Sequence, residues 1–203
     1  MVFGATGGTG RQVVRLALEQ GHAVTAFARR PAATTDRHAN LAVFAGDVLD
    51  PAALSAAVAG HEVVISALGT REGDDWILPQ ATAHICAAMW QHAVPRLVCV
   101  TAMGVGESRS QLGQTFAWLA VDLRESLAEK EAQEQVARAS GLDWIIVRPG
   151  ALTDGPRTGA YRCVTVPAVA LPRALISRAD VADFILQHLT GDEYLRQAVS
   201  LAY

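Results

Sequence analysis

Short apolar runs alternate along the chain with longer stretches in which apolar residues recur every three or four positions. The runs at 23–28, 41–44, 62–65, 96–100, 143–147 and 198–201 are dominated by Val, Ile, Leu, Phe and Ala, and they predict strands covered on both faces. Val2 and Phe3 read as the end of a further strand, and residues 161–166 as a short one. Met1 lies three residues before the first glycine of a Gly-rich loop, so the first strand is very short or the chain has been trimmed. Helical periodicity covers 9–20, 76–92, 125–140 and 177–189. Gly21 and Gly141 stop the first and third of these, and Ser177 with Asp180 spaces a capping box for the last. Asp50-Pro51 opens one more helix with an N-cap and a proline in the first turn. Strands alternating with helices imply right-handed crossovers, hence an α/β fold: one doubly wound parallel sheet with helices on both faces, expected as a single domain over 1–203.

Composition narrows the class. Apolar residues make up 51% of the 203 positions and aromatics only 6%, which suits a helix-covered sheet. The formal net charge of −3 and a pI near 6.0 point to no nucleic-acid or membrane partner. No apolar run approaches the ~18 residues that a bilayer span requires, and the N-terminus lacks the pattern of a signal peptide. Cys86, Cys99 and Cys163 are widely spaced, odd in number and set among apolar neighbours. They read as buried free thiols in a reducing cytoplasm. The six histidines show no metal-ligand spacing, so no metal site is expected. A monomer is the simplest expectation for the assembly.

The chemistry starts at Gly4-Ala5-Thr6-Gly7-Gly8-Thr9-Gly10. Glycines spaced G-x-x-G-x-x-G between a strand end and a helix start form a Rossmann-type dinucleotide loop. Gly4 permits the tight turn, Gly7 lets the backbone approach a pyrophosphate, and Gly10 lets the helix pack close to the sheet. The helix N-terminus then holds the anion, with Gly8 exposing backbone and Thr6 and Thr9 offering hydroxyls. A cofactor with a free ribose 2′-hydroxyl calls for a carboxylate at the end of the second strand. Arg29 and Arg30 stand there instead, and guanidinium groups suit a 2′-phosphate, so NADP(H) is expected over NAD(H). Asp47 and Val48 follow the third strand and could flank adenine, though Asp47 equally fits a turn or helix entry. Small residues at Ala67 and Gly69, on either side of Leu68, let the fourth strand end approach a ribose. Arg71 fits a cofactor or substrate contact and a plain surface position equally well.

These motifs carry a family resemblance. Gly4 to Gly10, Leu68-Gly69-Thr70-Arg71, Val147-Arg148-Pro149-Gly150, Thr158-Gly159-Ala160-Tyr161, Ile176-Ser177-Arg178-Ala179-Asp180 and Asp192-Glu193-Tyr194 occur in one order. The chain resembles atypical short-chain dehydrogenases/reductases of the NmrA-like, NAD(P)-binding group. Within that group it is most similar to the biliverdin IX-beta reductase/NADPH flavin reductase family, over essentially its whole length. The resemblance implies NADPH-dependent reduction of flavins and of linear tetrapyrroles such as biliverdin. It puts Arg29 on the 2′-phosphate and Thr101 beside the nicotinamide ribose, and it matches Lys130 to the cofactor-binding lysine of related reductases, with Thr101 and Lys130 as catalytic candidates. Pro149 and Gly150 would face the nicotinamide, with Leu78, Ala102, Met103 and Ala151 at the substrate pocket. Ala102 and Ala151 depart from the family, whose mammalian members carry Ser and His there. Those polar groups bear on protonation, so biliverdin reduction is expected to suffer more than flavin reduction.

The familiar dyad of this enzyme class needs Tyr four residues before Lys, so that the lysine lowers the phenol's pKa. Ser126 precedes Lys130 at that spacing, and Tyr161, Tyr194 and Tyr203 have no lysine in register. Ketone–alcohol chemistry by that route is therefore not expected. Hydride transfer to an electron-poor ring needs chiefly proximity and orientation, and Trp76, Leu78, Met103, Phe116 and Trp118 could line an apolar pocket for it. Glu125, Glu129, Glu131 and Glu134 read as a solvated helix face, and Ser108–Ser110 with Gly104 and Gly106 as a mobile loop beside the site. Two other functions fit the same residues. One is a non-catalytic NADP(H)-binding redox sensor, and the other an oxidoreductase or epimerase acting on another small metabolite.

Overall fold

The computed structural model describes residues 1–31, 37–69, 76–111, 123–165 and 174–203. An eight-stranded sheet runs in the order β3-β2-β1-β4-β5-β6-β10-β8. Its strands are β1 (Val2–Phe3), β2 (Val24–Ala28), β3 (Leu41–Ala45), β4 (Val63–Ser66), β5 (Arg96–Val100), β6 (Asp143–Pro149), β8 (Arg162–Val164) and β10 (Ala198–Ala202). All its pairings are parallel except that of β8 with β10. Two further strands, β7 (Ala151–Thr153) and β9 (Leu175–Ser177), pair with each other as a separate ribbon. The sequence pattern did not show this ribbon, because three residues are too few for a period to register.

Period-two alternation sends the side chains of the central strands to two separate cores. Val2, Ile65, Val98 and Val147 join one, under α1 (Gly8–Glu19) and α5 (Arg178–Gln187), which pack together. Phe3, Val64, Leu97 and Cys99 join the other, under α2 (Pro51–Val58), α3 (Ile77–Gln91) and α4 (Arg124–Ala139). The sheet is thus doubly wound, as the alternation of elements predicted. Among the described residues no helix is long and apolar enough to cross a membrane, and no group of three or more His, Cys, Asp or Glu could hold a metal ion.

The caps follow the sequence closely. Asp50 accepts from the amides of Ala52 and Ala53 and starts α2 over Pro51. Ser177 accepts from the Asp180 amide, as a capping box requires. Asp180 does not complete the box. Its carboxylate instead gathers the amides of Thr158 and Gly159 and the hydroxyls of Thr158, Ser177 and Tyr203. Burial alone would raise its pKa, but these donors hold it below the ordinary carboxylate value. The motif residues Thr158, Gly159 and Asp180 therefore tie the loop before β8 to the start of α5.

Three expectations are corrected. Glu129 and Glu134 are each only 3% exposed and face inward from α4, so that helix is not solvated along this side. Residues Gly106–Gln111 form a 3-10 helix, not an open loop: Ser108 is buried, accepts from the Gly104 amide and donates to the Val105 carbonyl. Cys163 is exposed on β8, while Cys86 and Cys99 are buried.

Candidate functional site

Strand order reverses between β1 and β4, the switch point at which ligands bind beyond the carboxyl ends of the strands. A cleft of about 1050 Å³ opens there, larger than a drug-sized pocket needs. One end is the glycine loop. Gly4 has φ +74, and a Cβ on it would collide with the Ala67 carbonyl; one on Gly10 would collide with the Gly4 carbonyl. The loop therefore sits directly on the neighbouring strand end and beneath the first turn of α1. The N-cap of α1 is Gly7, which offers no side-chain cap, and no acidic residue stands in the first turn. The helix start is left to an anion from the cleft. Gly4, Thr6, Gly7, Gly8 and Thr9 line it, whereas Gly10 lies under the loop as packing.

Arg29 and Arg30 line the cleft where β2 ends, and neither forms an ion pair among the described residues. Phe27, Asp47, Val48 and Leu49 complete that end. Asp47 borders the cleft, and its carboxylate accepts from the Leu49 amide, as a turn residue does. Gly46 is required here, because a Cβ would lie 2.6 Å from the Phe27 ring. Ala67, Leu68 and Gly69 form the floor after β4, and Arg71 lies outside the described residues.

The other end of the cleft is lined by Thr101, Ala102, Met103, Lys130, Pro149, Gly150 and Ala151. Ile77, Leu123, Leu127 and Leu152 add an apolar wall. Leu78 does not belong to it. It is fully buried, and its amide donates to the Glu129 carboxylate at 2.8 Å, so the wall residue of α3 is Ile77, one position earlier. Trp76, half-exposed with φ 34, is not among the lining residues, and Phe116 and Trp118 lie outside the described ones.

Beneath this end runs a buried charge network that the sequence reading missed. Thr101 Oγ1 donates to Glu134 Oε1 at 2.7 Å, and Arg148 Nε donates to the same oxygen at 2.8 Å. Arg148 also pairs with Glu134 Oε2 and, at 3.1 Å, with Glu107 Oε2, while Arg138 reaches Glu107 at 3.0 Å. Burial opposes the charge on Arg148, but the hydrogen bonds and charges of Glu134 and Glu107 hold its pKa above the ordinary value. The Thr101 hydroxyl is therefore committed to a carboxylate. Lys130 lies on α4 one turn before Glu134 and finds no hydrogen bond or ion pair among the described residues. Burial pushes its pKa below 10.5, against the raising effect of Cys99, Glu129 and Glu134. The signal in the sequence was the poverty of α4 in large apolar residues. Glu129, Gln133, Glu134 and Ala137 make the buried stripe at helical spacing, so the face turned to the protein had to be polar.

All three tyrosines lie away from the cleft. Tyr161 donates to Asp183 at 3.0 Å, Tyr203 to Asp180 at 2.7 Å, and Tyr194 packs on Phe184 and His188.

An uncapped helix start aimed into a switch-point cleft is how NAD(P)H-dependent oxidoreductases hold their cofactor, and fold and site together place the protein in that class. Residues 4–192 match the NAD(P)H-binding family, and the chain belongs to it. An uncharacterised chloroplastic protein of Arabidopsis thaliana is 32% identical over 205 residues, covering 95% of this chain and 72% of its own. A (4-alkanoyl-5-oxo-2,5-dihydrofuran-3-yl)methyl phosphate reductase of Streptomyces griseus is 28% identical, covering 100% of this chain and 67% of its own. The solved structure of ChuY, an anaerobillin reductase from Escherichia coli O157:H7, superposes with a TM-score of 0.84 at 27% identity, covering 98% of this chain and 94% of its own.

Proposed function

We propose that this protein is an NADPH-dependent reductase that passes hydride to planar conjugated acceptors, flavins such as FMN and riboflavin and open-chain tetrapyrroles such as biliverdin. One observation carries the reading: the far half of the cleft is apolar and holds Lys130 but none of the three tyrosines. A carbonyl acceptor would need an acid at its oxygen, which a Tyr–Lys pair supplies. A conjugated ring needs to lie flat over the nicotinamide face, and proximity accounts for most of the rate. Pro149 and Gly150 would border that face, Met103, Leu127 and Leu152 would hold the ring, and Lys130 would deliver a proton or steady the charge left after hydride arrives. The likeness to an anaerobillin reductase supports a tetrapyrrole-sized acceptor. Arg29 and Arg30 support the phosphorylated cofactor.

Stopped-flow oxidation of NADPH with FMN, riboflavin and biliverdin tests the proposal. Flavins should turn over, and biliverdin more slowly, because Ala102 and Ala151 cannot donate a proton and general-acid help is typically worth ~100-fold. Ala102→Ser with Ala151→His should then raise biliverdin turnover more than flavin turnover. No turnover with any of the three acceptors would sink the reading and leave an NADP(H)-binding sensor in its place.

A further inference from the structure

Arg178 is the first residue of α5, and its side chain lies against the phosphate loop. A Cβ on Gly8 would come within 2.6 Å of Arg178 Nε and 2.7 Å of its Cδ. The same residue lines the cleft, and its Nη1 pairs at 2.6 Å with Asp154, whose side chain is 88% exposed. Two positive features thus stand side by side at one end of the cleft: the uncapped start of α1 and the Arg178 guanidinium. We infer that Arg178 is a ligand of the cofactor's pyrophosphate, beside the amides of α1, and that Asp154 is a competing partner that holds the guanidinium in place when the site is empty. The inference concerns the cofactor and stands whichever acceptor the cleft takes.

Chemistry favours an anion of this kind. A helix start supplies only about half a charge, spread over amides, whereas a pyrophosphate carries two negative charges and a planar guanidinium can meet it with two parallel hydrogen bonds. Gly8 is the position at which a side chain would push the arginine away. Ser177, fixed by the Asp180 amide and by its own amide's bond to Tyr203 Oη, sets where the arginine starts. The network around Asp180 therefore serves the site by aiming Arg178. Asp154 is exposed, so releasing it from Arg178 leaves a carboxylate that water can solvate.

The pyrophosphate is common to both nicotinamide cofactors, and this separates Arg178 from Arg29. Arg178→Gln should raise the Kd of NADPH and of NADH by the same factor, about 10- to 100-fold by calorimetry, with an unchanged melting temperature for the free protein. Asp154→Asn, a surface change, should tighten both cofactors by about 2- to 5-fold, and that gain should vanish in the Arg178→Gln background. Unchanged cofactor affinity in Arg178→Gln would overturn the inference, and so would a rise in acceptor KM alone. A loss confined to NADPH would place Arg178 on the 2′-phosphate instead and equally refute it. Should Arg178→Gln unfold, the Asp154→Asn measurement decides by itself, and no change in either Kd would refute the competition.

Discussion

Arg29 and Lys130 show how much one side chain can decide. Arg29 stands at the end of β2 beside the cleft with no ion-pair partner among the described residues. A charge-assisted bond to a phosphate contributes roughly 1.5–3 kcal/mol. Arg29→Ala should therefore weaken NADPH by about tenfold or more and leave NADH nearly unchanged, which titration calorimetry with both cofactors reads directly. Lys130 tests the proton. Its pKa lies below 10.5, so the protonated form is lost as pH rises through that lowered value. If it supplies the proton, kcat should be flat on the acid side of that pKa and fall above it. Lys130→Met should remove the falling limb along with part of the rate. A limb that survives the substitution would assign the titration to another group.

The helix α4 joins the site to the fold. Glu134 satisfies Thr101 and Arg148 at once, with both charged side chains nearly free of water. Breaking a buried pair from one side costs about 3–5 kcal/mol where the remaining charge is left unpaired, and Arg148 would keep only the half-exposed Glu107 as a partner. Glu134→Gln, which keeps the shape, should lower stability in urea denaturation by an amount near the bottom of that range, and Glu134→Ala by more. Replacing both partners, as Glu134→Leu with Arg148→Met, should recover much of the loss. At this scale the sequence was legible where its pattern was periodic. The runs that became β2, β5 and β6 and the caps at Asp50 and Ser177 could be read directly, since burial on two faces and an unfilled amide each leave a local mark. Glu129 and Glu134 could not, because a charge buried against an amide or an arginine of another element looks, one helix at a time, like a charge facing water. Leu78 was expected at the cleft and Ile77 stands there, because one residue of helix phase separates a cleft wall from a fully buried side chain.

Across the whole molecule, the sheet divides the protein into two cores and the cofactor cleft crosses the line between them. Filling the cleft should stabilise both halves together. A ligand at 100 times its Kd adds about 2.7 kcal/mol to a folded state it binds exclusively. NADPH should therefore raise the melting temperature, and Gly7→Val should abolish that rise without unfolding the free protein. A Cβ at Gly7 meets only the Gly4 carbonyl, at 3.3 Å, and otherwise points into the space a cofactor needs. The same change at Gly10 would strike backbone, and it should destabilise the protein with or without ligand. A Gly7→Val protein that still gained thermal stability from NADPH would show that the pyrophosphate lies elsewhere.

The cysteines offer a different kind of readout. Cys163 is open to solvent on β8, while Cys99 sits at the middle of the sheet, paired through β5 with Ser66 on one side and Ile146 on the other. Burial drives the Cys99 thiol up to about 12 and Cys86 to about 11, so neither presents a thiolate at neutral pH. Burial raises the Cys163 thiol as well, so an alkylating reagent should mark it slowly but from the folded protein, and reach Cys99 only when β5 parts from its neighbours. The rate of modification at Cys99 then counts openings of the sheet, and saturating NADPH should slow it by about 100-fold at 100 times Kd. One chain thus carries both the clock and its internal standard: Cys99 ticks with the opening of the core, and Cys163 runs on regardless.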